Sequence, residues 1–360
     1  MHVLGRDGDG RAARDGASGQ GRTGQDPTKP VGRLGRYRAR DGSTGTAVGL
    51  DLDRPHAALV VGKRGYGKSY TLGVLAEECA KTPGVTPVVV DPIGALRGLG
   101  EWGRVVDAPT VRAATVPPRA WPDLVGLEPT SSAGALVWQA AAAAGTLAGM
   151  RDHVADADAA DGVRRVATNH LGLAASWGAF APDGLDASDL TREVTVLDCS
   201  SLAPGARGAV IHAVASGLYE ARVAEQLGTI PWLFVDEAHV AFEGVAASAL
   251  ETLLTRGRAP GVSLVCATQR PGVLPPVVAS QSDLLVAHRL TAERDVSALS
   301  DCEATYVDGR LRDRLPTERG EALVVDDRTE SVHVVRVRER ETDHEGESPR
   351  ASAFAERAGS

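Results

Sequence analysis

The chain has 360 residues, of which 43% are hydrophobic and 24% are charged, so it can build one large core or two ordinary ones. Its net charge of −8 excludes a large basic surface, so nucleic acid would have to be bound by a local surface or by a ring of subunits. The four cysteines lie far apart without a CxxC pair, which excludes a zinc ribbon or a disulfide framework and fits a reducing cytoplasm.

Both ends of the sequence are too polar to bury a core. We predict that residues 1–30 and 341–360 are disordered tails. Residues 1–30 also lack the apolar stretch of a signal peptide, and the uncharged run 131–150 is dominated by Ala and Gly and is too weakly apolar to span a membrane. We therefore expect a soluble, cytoplasmic protein with no membrane partner.

Strands and helices alternate along most of the chain. Residues 31–55 are predicted to form a short N-terminal β segment, and residues 56–340 one larger domain with a helical insert at about 131–185. The predicted strands are Ala57–Val61, Val88–Val90, Val194–Leu197, Trp232–Val235, Ser263–Ala267, Leu284–His288, Ala322–Val325 and Val332–Val337. The predicted helices are Ser69–Cys79, two or three Ala-rich helices in the insert, Arg207–Leu227 and Val245–Arg256. This pattern is typical of an α/β fold with a mainly parallel sheet and helices on both faces.

A glycine-rich loop follows the strand Ala57–Val61. Only four of the 39 Lys and Arg residues are lysines, and two of them, Lys63 and Lys68, lie in the stretch VGKRGYGKSYT. Gly62-x-x-x-x-Gly67-Lys68-Ser69, between an apolar strand and an amphipathic helix, is the P-loop pattern. A chance match to the motif is the alternative, and the two flanking elements argue against it.

Each part of the P-loop pattern has a physical reason. Glycines let backbone N–H groups turn inward toward an anion, and the helix N-terminus adds positive potential. Lys68 reaches the β- and γ-phosphates as a compact charge, a role for which an Arg fork is too wide, and Ser69 ligates Mg²⁺. The predicted nucleotide-binding residues are Gly62, Lys63, Arg64, Gly65, Tyr66, Gly67, Lys68, Ser69 and Tyr70.

Asp236-Glu237 follows the apolar strand LFV and matches a Walker B pair. Asp236 would hold Mg²⁺, and Glu237 would polarise the attacking water. An acidic turn after a strand is the alternative, but the order after the P-loop favours catalysis. Gln269 ends the next strand, where its side chain can contact the γ-phosphate or orient water. Polar residues at the carboxyl ends of parallel strands are where ligands bind in such sheets.

Arginines near the strand Ser263–Ala267 are further candidates. Arg256 and Arg258 precede this strand in TRGRAPGV, and a loop of this kind at a subunit boundary can place an arginine finger in a neighbour's site. Solvated surface charge is the alternative. Arg289 is a candidate nucleotide-site or interface residue, His239 could couple the site to a neighbour or be structural, and Asp91 could support the site from an adjacent strand.

Several blocks together resemble the HerA/FtsK ATPases, and HerA-like proteins most closely. They are VGKRGYGKSYTLGVLAEE, VVVDPIGAL, VTVLDCSSL, LFVDEAH, GRAPGVSLVCATQRPGVLPPVVASQSD and HRLTAERD, which cover roughly residues 48–100 and 190–300. The resemblance implies a RecA-like ASCE fold, ATP and Mg²⁺, a hexameric ring and DNA translocation or unwinding. It also implies Arg258 as the arginine finger. Full HerA proteins carry an N-terminal β-barrel that docks a nuclease, for which residues 31–54 are too short, so we do not expect a nuclease partner.

Other classes of protein fit less well. A P-loop regulatory or scaffold ATPase without DNA motor activity stays open, since the barrel is missing. A GTPase would carry an [NT]KxD motif, which this sequence lacks. A small-molecule kinase would not need Glu237 together with Gln269, and a DEAH-box helicase would need a second RecA-like domain.

Overall fold

The computed structural model describes residues 1–6, 29–39, 41–300 and 310–344. Their strands form one twelve-stranded sheet with the order β1-β3-β2-β12-β11-β10-β4-β9-β8-β5-β7-β6. The strands are β1 His2–Leu4, β2 Val31–Arg38, β3 Thr44–Asp51, β4 Ala57–Val61, β5 Val85–Asp91, β6 Gly103–Asp107, β7 Val194–Asp198, β8 Ile230–Val235, β9 Ser263–Thr268, β10 Leu284–Ala287, β11 Glu321–Asp326 and β12 Ser331–Val337.

Helices cover both faces of this sheet. They are α1 Lys68–Ala80, α2 Trp121–Leu124, α3 Ser132–Ala143, α4 Leu147–Asp156, α5 Asp161–Ser176, α6 Ala187–Leu190, α7 Pro204–Val223, α8 Ala238–Ala241, α9 Ala247–Arg256, α10 Pro276–Gln281 and α11 Glu293–Ser300. Within the described ranges, no helix is both long and apolar enough to cross a bilayer.

The seven strands from β10 to β6 in the sheet order are parallel to one another and form the centre of the fold. Every residue of β4 is buried, as its continuous apolar sequence predicts for a strand covered on both faces. Leu59 and Val61 pack into one core with α7 and α9, whereas Ala58 and Val60 pack into the other core with α1. The predicted mainly parallel α/β sheet is therefore confirmed.

The helical insert lies between the edge strand β6 and its neighbour β7. Its helices α3, α4 and α5 enclose a small core of their own, in which Trp121, Val137, Met150 and Leu171 are fully buried. The predicted "two or three" Ala-rich helices are three. The prediction missed β6, because a five-residue edge strand with one glycine and two charged residues has no clear alternation.

The predicted disorder is wrong for the first residues of the N-terminal tail and for the first residues of the C-terminal tail. Residues 2–4 form β1, which pairs in parallel with β3, and the Gly5 N–H donates to Asp326 Oδ2 at 2.7 Å. At the other end Thr342 is buried against α1. In both places backbone N–H groups donate to buried carboxylates that are far away in the sequence. Composition alone does not predict such contacts. The remaining tail predictions, for 7–28 and 345–360, lie outside the described residues.

The N-terminal β segment continues the main sheet. β2 pairs with β12 and with β3, both antiparallel, so residues 31–51 extend the sheet beyond its parallel part. These strands place Arg33 and Arg36 beside the cavity at the carboxyl ends of the parallel strands. The extension therefore contributes to the site described next.

Candidate nucleotide-binding site

The P-loop connects β4 to α1 and needs glycine at two points where it passes a buried histidine. Gly62 has φ +156° and Gly67 has φ +119°. A Cβ at Gly62 would lie 2.6 Å from the Cβ of His288, and one at Gly67 would lie 3.1 Å from its Cε1. A side chain at Gly62 would clash with His288, so the loop can take this path only with glycine there.

His288 supports the P-loop from behind and was not predicted as a site residue. It is fully buried. Its Nδ1 lies 2.8 Å from the carbonyl oxygen of Glu321 and its Nε2 lies 2.9 Å from Thr71 Oγ1. Nδ1–H therefore donates to the carbonyl, and neutral Nε2 accepts from the hydroxyl. His288 thus ties the first turn of α1 to β11.

The burial of His288 should make the stability of the fold depend on pH. Burial lowers the pKa of His288 from 6.5 to about 4. The unfolded chain takes up this proton first, so the stabilising effect is complete above pH 6.5 and is lost as the pH falls toward 4. We expect wild type to lose about 3 kcal/mol over this range relative to the non-titrating variant His288→Gln.

Urea denaturation of both proteins at pH 7.5, 6, 5 and 4.5 measures this difference. The control is Ser248→Ala on the exposed face of α9, whose difference from wild type should not change with pH. A wild-type advantage over His288→Gln that stayed constant across the series would contradict a buried neutral imidazole.

The P-loop serine and the Walker B aspartate meet, although they are 167 residues apart. Ser69 Oγ donates to Asp236 Oδ2 at 2.6 Å. Asp236 is 1% exposed, and its burial raises the pKa of the carboxyl group. A buried carboxylate beside a hydroxyl oxygen is a donor set that suits Mg²⁺, which binds through one or two protein oxygens and the phosphates of its nucleotide. These residues therefore fit the predicted metal.

Lys68 is held at the start of α1 with its charge partly desolvated. Its side chain is 6% exposed, and Nζ donates to the carbonyl oxygen of Lys63 at 3.5 Å. Burial lowers the pKa of Lys68, while Glu237 and Asp236 act in the opposite direction. An ammonium group whose hydrogen bond to a carbonyl oxygen is as long as 3.5 Å is available to a phosphate.

Glu237 is placed by a strained turn and by the end of β9. Its backbone lies in the left-handed region, with φ 46°, directly before α8. Burial raises the pKa of Glu237, and a hydrogen bond from the Gln269 side chain lowers it. His239 Nδ1 lies 3.3 Å from Glu237 Oε2 and 3.1 Å from Thr268 Oγ1. The structure therefore brings Glu237, Gln269 and His239 together at one point.

Asp91 has a structural role beside the site. Its carboxylate accepts backbone N–H groups from Gly94 at 2.8 Å and Leu96 at 2.6 Å, as well as one from Ile93 at 3.2 Å. The group is fully buried. Asp91 thus fixes the loop 92–96, of which Ile93 is 56% exposed.

A cavity of about 1730 Å³ lies over the P-loop and is larger than the roughly 300–1,000 Å³ typical of small-molecule sites. Lys68, Ser69, Glu237 and Gln269 line it. Most of its other charged side chains are basic, namely Arg33, Arg36, Arg64, Arg207, Arg319, Arg336 and Arg338. Of these only Arg64 was predicted. The others come from separate elements, and nothing in their local sequence marks them.

Some predicted residues lie away from this cavity. Arg258 Nη1 lies 4.0 Å from Asp283 Oδ2 at the amino end of β10, and Arg256 is exposed at the end of α9. The P-loop is at the opposite edge of the sheet, about 13 Å away along β4 at 3.3 Å per residue. Lys63 and Arg289 contact the ring of Tyr66, at 4.6 Å and 5.6 Å from its centroid. Neither Arg256 nor Arg258 reaches the cavity of its own chain.

Known structures share this fold. No protein-family model matches the sequence, and no curated protein matches it. VirB4 of Thermoanaerobacter pseudethanolicus matches with a TM-score of 0.65 and 18% identity, over 87% of this chain and 97% of that chain. The plasmid coupling protein TrwB in complex with the non-hydrolysable GTP analogue GDPNP matches with a TM-score of 0.56 and 17% identity, over 82% of this chain and 88% of that chain.

A second structure of TrwB, the unbound monoclinic form of the bacterial conjugative coupling protein TrwBdeltaN70, also matches this chain. Its TM-score is 0.56 at 16% identity, over 87% of this chain and 90% of that chain. The likeness is to the fold, which is the RecA-like fold of the P-loop ATPases. The fold that the resemblance to HerA/FtsK ATPases implies is therefore confirmed.

Proposed function

We propose that the protein binds ATP with Mg²⁺ and hydrolyses it to ADP and phosphate. The observation that carries this proposal is the 2.6 Å contact between Ser69 Oγ and Asp236 Oδ2. Ser69 itself lines the cavity, together with Lys68 and Glu237. The two motifs come from distant parts of the sequence, and their meeting supports the proposal because a site for a polyphosphate and a cation needs both.

Each side chain of the site has a role in this reaction. Backbone N–H groups of the P-loop and the Lys68 ammonium group bind the β- and γ-phosphates. Mg²⁺, held by Ser69 and Asp236, would neutralise phosphate charge when bound. Glu237 accepts a proton from the attacking water as the γ-phosphate is released, and its raised pKa suits this role. Gln269 orients the same water.

We further propose that hydrolysis drives movement along DNA, or its unwinding, in a hexameric ring of cytoplasmic subunits. The sequence blocks shared with HerA/FtsK ATPases support this, as does the shared fold with TrwB, a coupling protein of plasmids. A net charge of −8 disfavours DNA binding by one subunit. A ring can instead bring one small basic or N–H-rich loop from each subunit to a shared channel.

In a ring, Arg258 and Arg256 could act as arginine fingers in the site of a neighbouring subunit, which they cannot do in the site of their own chain. Both lie at the sheet edge opposite their own P-loop, so each could contact only a neighbour's nucleotide. We propose Arg258 as the finger, as the resemblance to HerA/FtsK ATPases implies; its side chain is 39% exposed, with Nη1 4.0 Å from Asp283 Oδ2. An arginine supplied in trans stabilises the charge of the transition state.

Binding to duplex DNA should depend on assembly. With about one phosphate contact from each of about six subunits, log K should fall with log salt at a slope of about −5. ATP-loaded Glu237→Gln protein should bind duplex DNA with this slope at ring-forming concentrations. The same protein diluted to monomers should not bind. Fluorescence anisotropy, with particle mass measured in parallel, tests both statements.

An assembled ring without DNA affinity at low salt would contradict the motor. The mass measurement distinguishes this outcome from failed assembly. A P-loop regulatory or scaffold ATPase would then be the better description, since the same phosphate site can drive a switch.

A further inference from the structure

The last described segment of the chain, residues 338–344, docks across α1 through a buried carboxylate. Glu77 is fully buried, and its Oε1 accepts the N–H groups of Glu341 and Thr342, both at 2.9 Å. Thr342 Oγ1 donates to the same oxygen at 2.8 Å, and Arg338 Nη1 lies 2.7 Å from Oε2. Charge-assisted hydrogen bonds of this kind fix the path of the segment.

The first turn of α1 points three consecutive side chains in three directions, because each helical residue is rotated by about 100° from the last. Ser69 points to Asp236, and Thr71 points to His288. Tyr70, between them, points to the docked segment, where its hydroxyl accepts the Arg340 N–H at 2.6 Å. Tyr70 is therefore on neither the metal side nor the buried side of the P-loop.

Two rings meet at this place in an edge-to-face arrangement. The centroids of the Tyr70 and His344 rings are 5.3 Å apart, with an interplanar angle of 87°. Both residues line the cavity that Lys68 and Ser69 line, and so does the carboxylate residue Glu339. A flat ligand can stack on one ring and contact the edge of the other. The Glu339 carboxylate would then be available to an exocyclic amino group of the ligand.

We propose that Tyr70 and His344 form the base side of the nucleotide pocket and receive a purine. This inference rests on the proposed function, since it assigns a place to the base of the same nucleotide. The phosphates occupy the P-loop end of the cavity, and the base occupies the end that the docked segment closes. Glu77 takes no part in contact with the nucleotide and is a positioning residue, since it fixes the segment that carries His344.

The test compares a ligand with a base and a ligand without one. Calorimetry measures the binding of Mg·ATP and of Mg·tripolyphosphate to wild type, His344→Ala and His344→Phe. We expect His344→Ala to bind ATP about tenfold more weakly, as one lost stacking contact predicts. Its affinity for tripolyphosphate should be unchanged. His344→Phe keeps a flat ring and should retain most of the ATP affinity. The control is His153→Ala on α4, outside the cavity.

Four outcomes overturn the inference. His344→Ala could bind ATP as tightly as wild type does, so that the ring is not used. It could instead lose affinity for ATP and for tripolyphosphate equally, in which case the segment acts on the phosphate site alone. If wild type binds tripolyphosphate and ATP with equal affinity, the base has no site. If wild type binds neither ligand, the proposed function fails, and the base site fails with it.

Discussion

Lys68→Ala should reduce the affinity for ATP about a hundredfold or more. The mutation removes the buried ammonium group that we propose binds the phosphates, and charge-assisted contacts of this kind contribute about 2–5 kcal/mol when one partner is removed. Lys68 is 6% exposed, so its charge acts with little screening by solvent and its loss should be costly. Titration calorimetry with Mg·ATP measures the effect.

Lys63→Ala is the matched control for this experiment. Lys63 lies in the same loop and has the same charge, but its Nζ lies 4.6 Å from the centroid of the Tyr66 ring and it does not line the cavity. We expect a much smaller change for Lys63→Ala. Equal ATP affinities for Lys68→Ala and wild type would show that the loop is not a phosphate site.

Glu237→Gln should bind ATP with wild-type affinity and hydrolyse it about a thousandfold more slowly. An amide keeps the size of the side chain but cannot accept a proton from water, and general base catalysis contributes about 10²–10⁴-fold. Single-turnover hydrolysis of radiolabelled ATP measures the rate, and calorimetry measures the affinity. The control is Glu243→Gln, which changes an exposed carboxylate shortly after the same motif.

Two results would count against this role for Glu237. A wild-type rate for Glu237→Gln would mean that another residue is the general base. The nearest alternative is His239, which lies 3.3 Å from the Glu237 carboxylate. A loss of ATP binding would mean that the carboxylate holds the metal or the fold of the site, and not the water.

Local features of the sequence were enough to predict the centre of the site. The strand β4 is a continuous apolar run, and its predicted bounds Ala57–Val61 are those observed. The Gly-rich loop and helix α1 follow within a few residues, so periodicity and glycine spacing identify them. Asp236 and Gln269 each end an apolar strand, and parallel strands bring such ends to one edge of a sheet.

Contacts between distant residues could not be predicted in this way. His288 meets Thr71 across 217 residues, and Thr342 meets Glu77 across 265. A buried histidine and a buried glutamate have no periodic signature of their own, because their environment is set by which strands become neighbours. The basic lining of the cavity has the same origin, since its arginines come from β2, β12 and other separate elements.

In the motor that we propose, ATP hydrolysis at this site is coupled to DNA. Steady-state ATP turnover by wild-type protein, measured with and without duplex DNA at concentrations where particle mass shows the ring, tests it most directly. We expect the turnover rate to rise with DNA, and the increase to disappear at high salt, where DNA no longer binds. An unchanged rate in assembled rings at low salt would contradict a coupling between ATP hydrolysis and DNA.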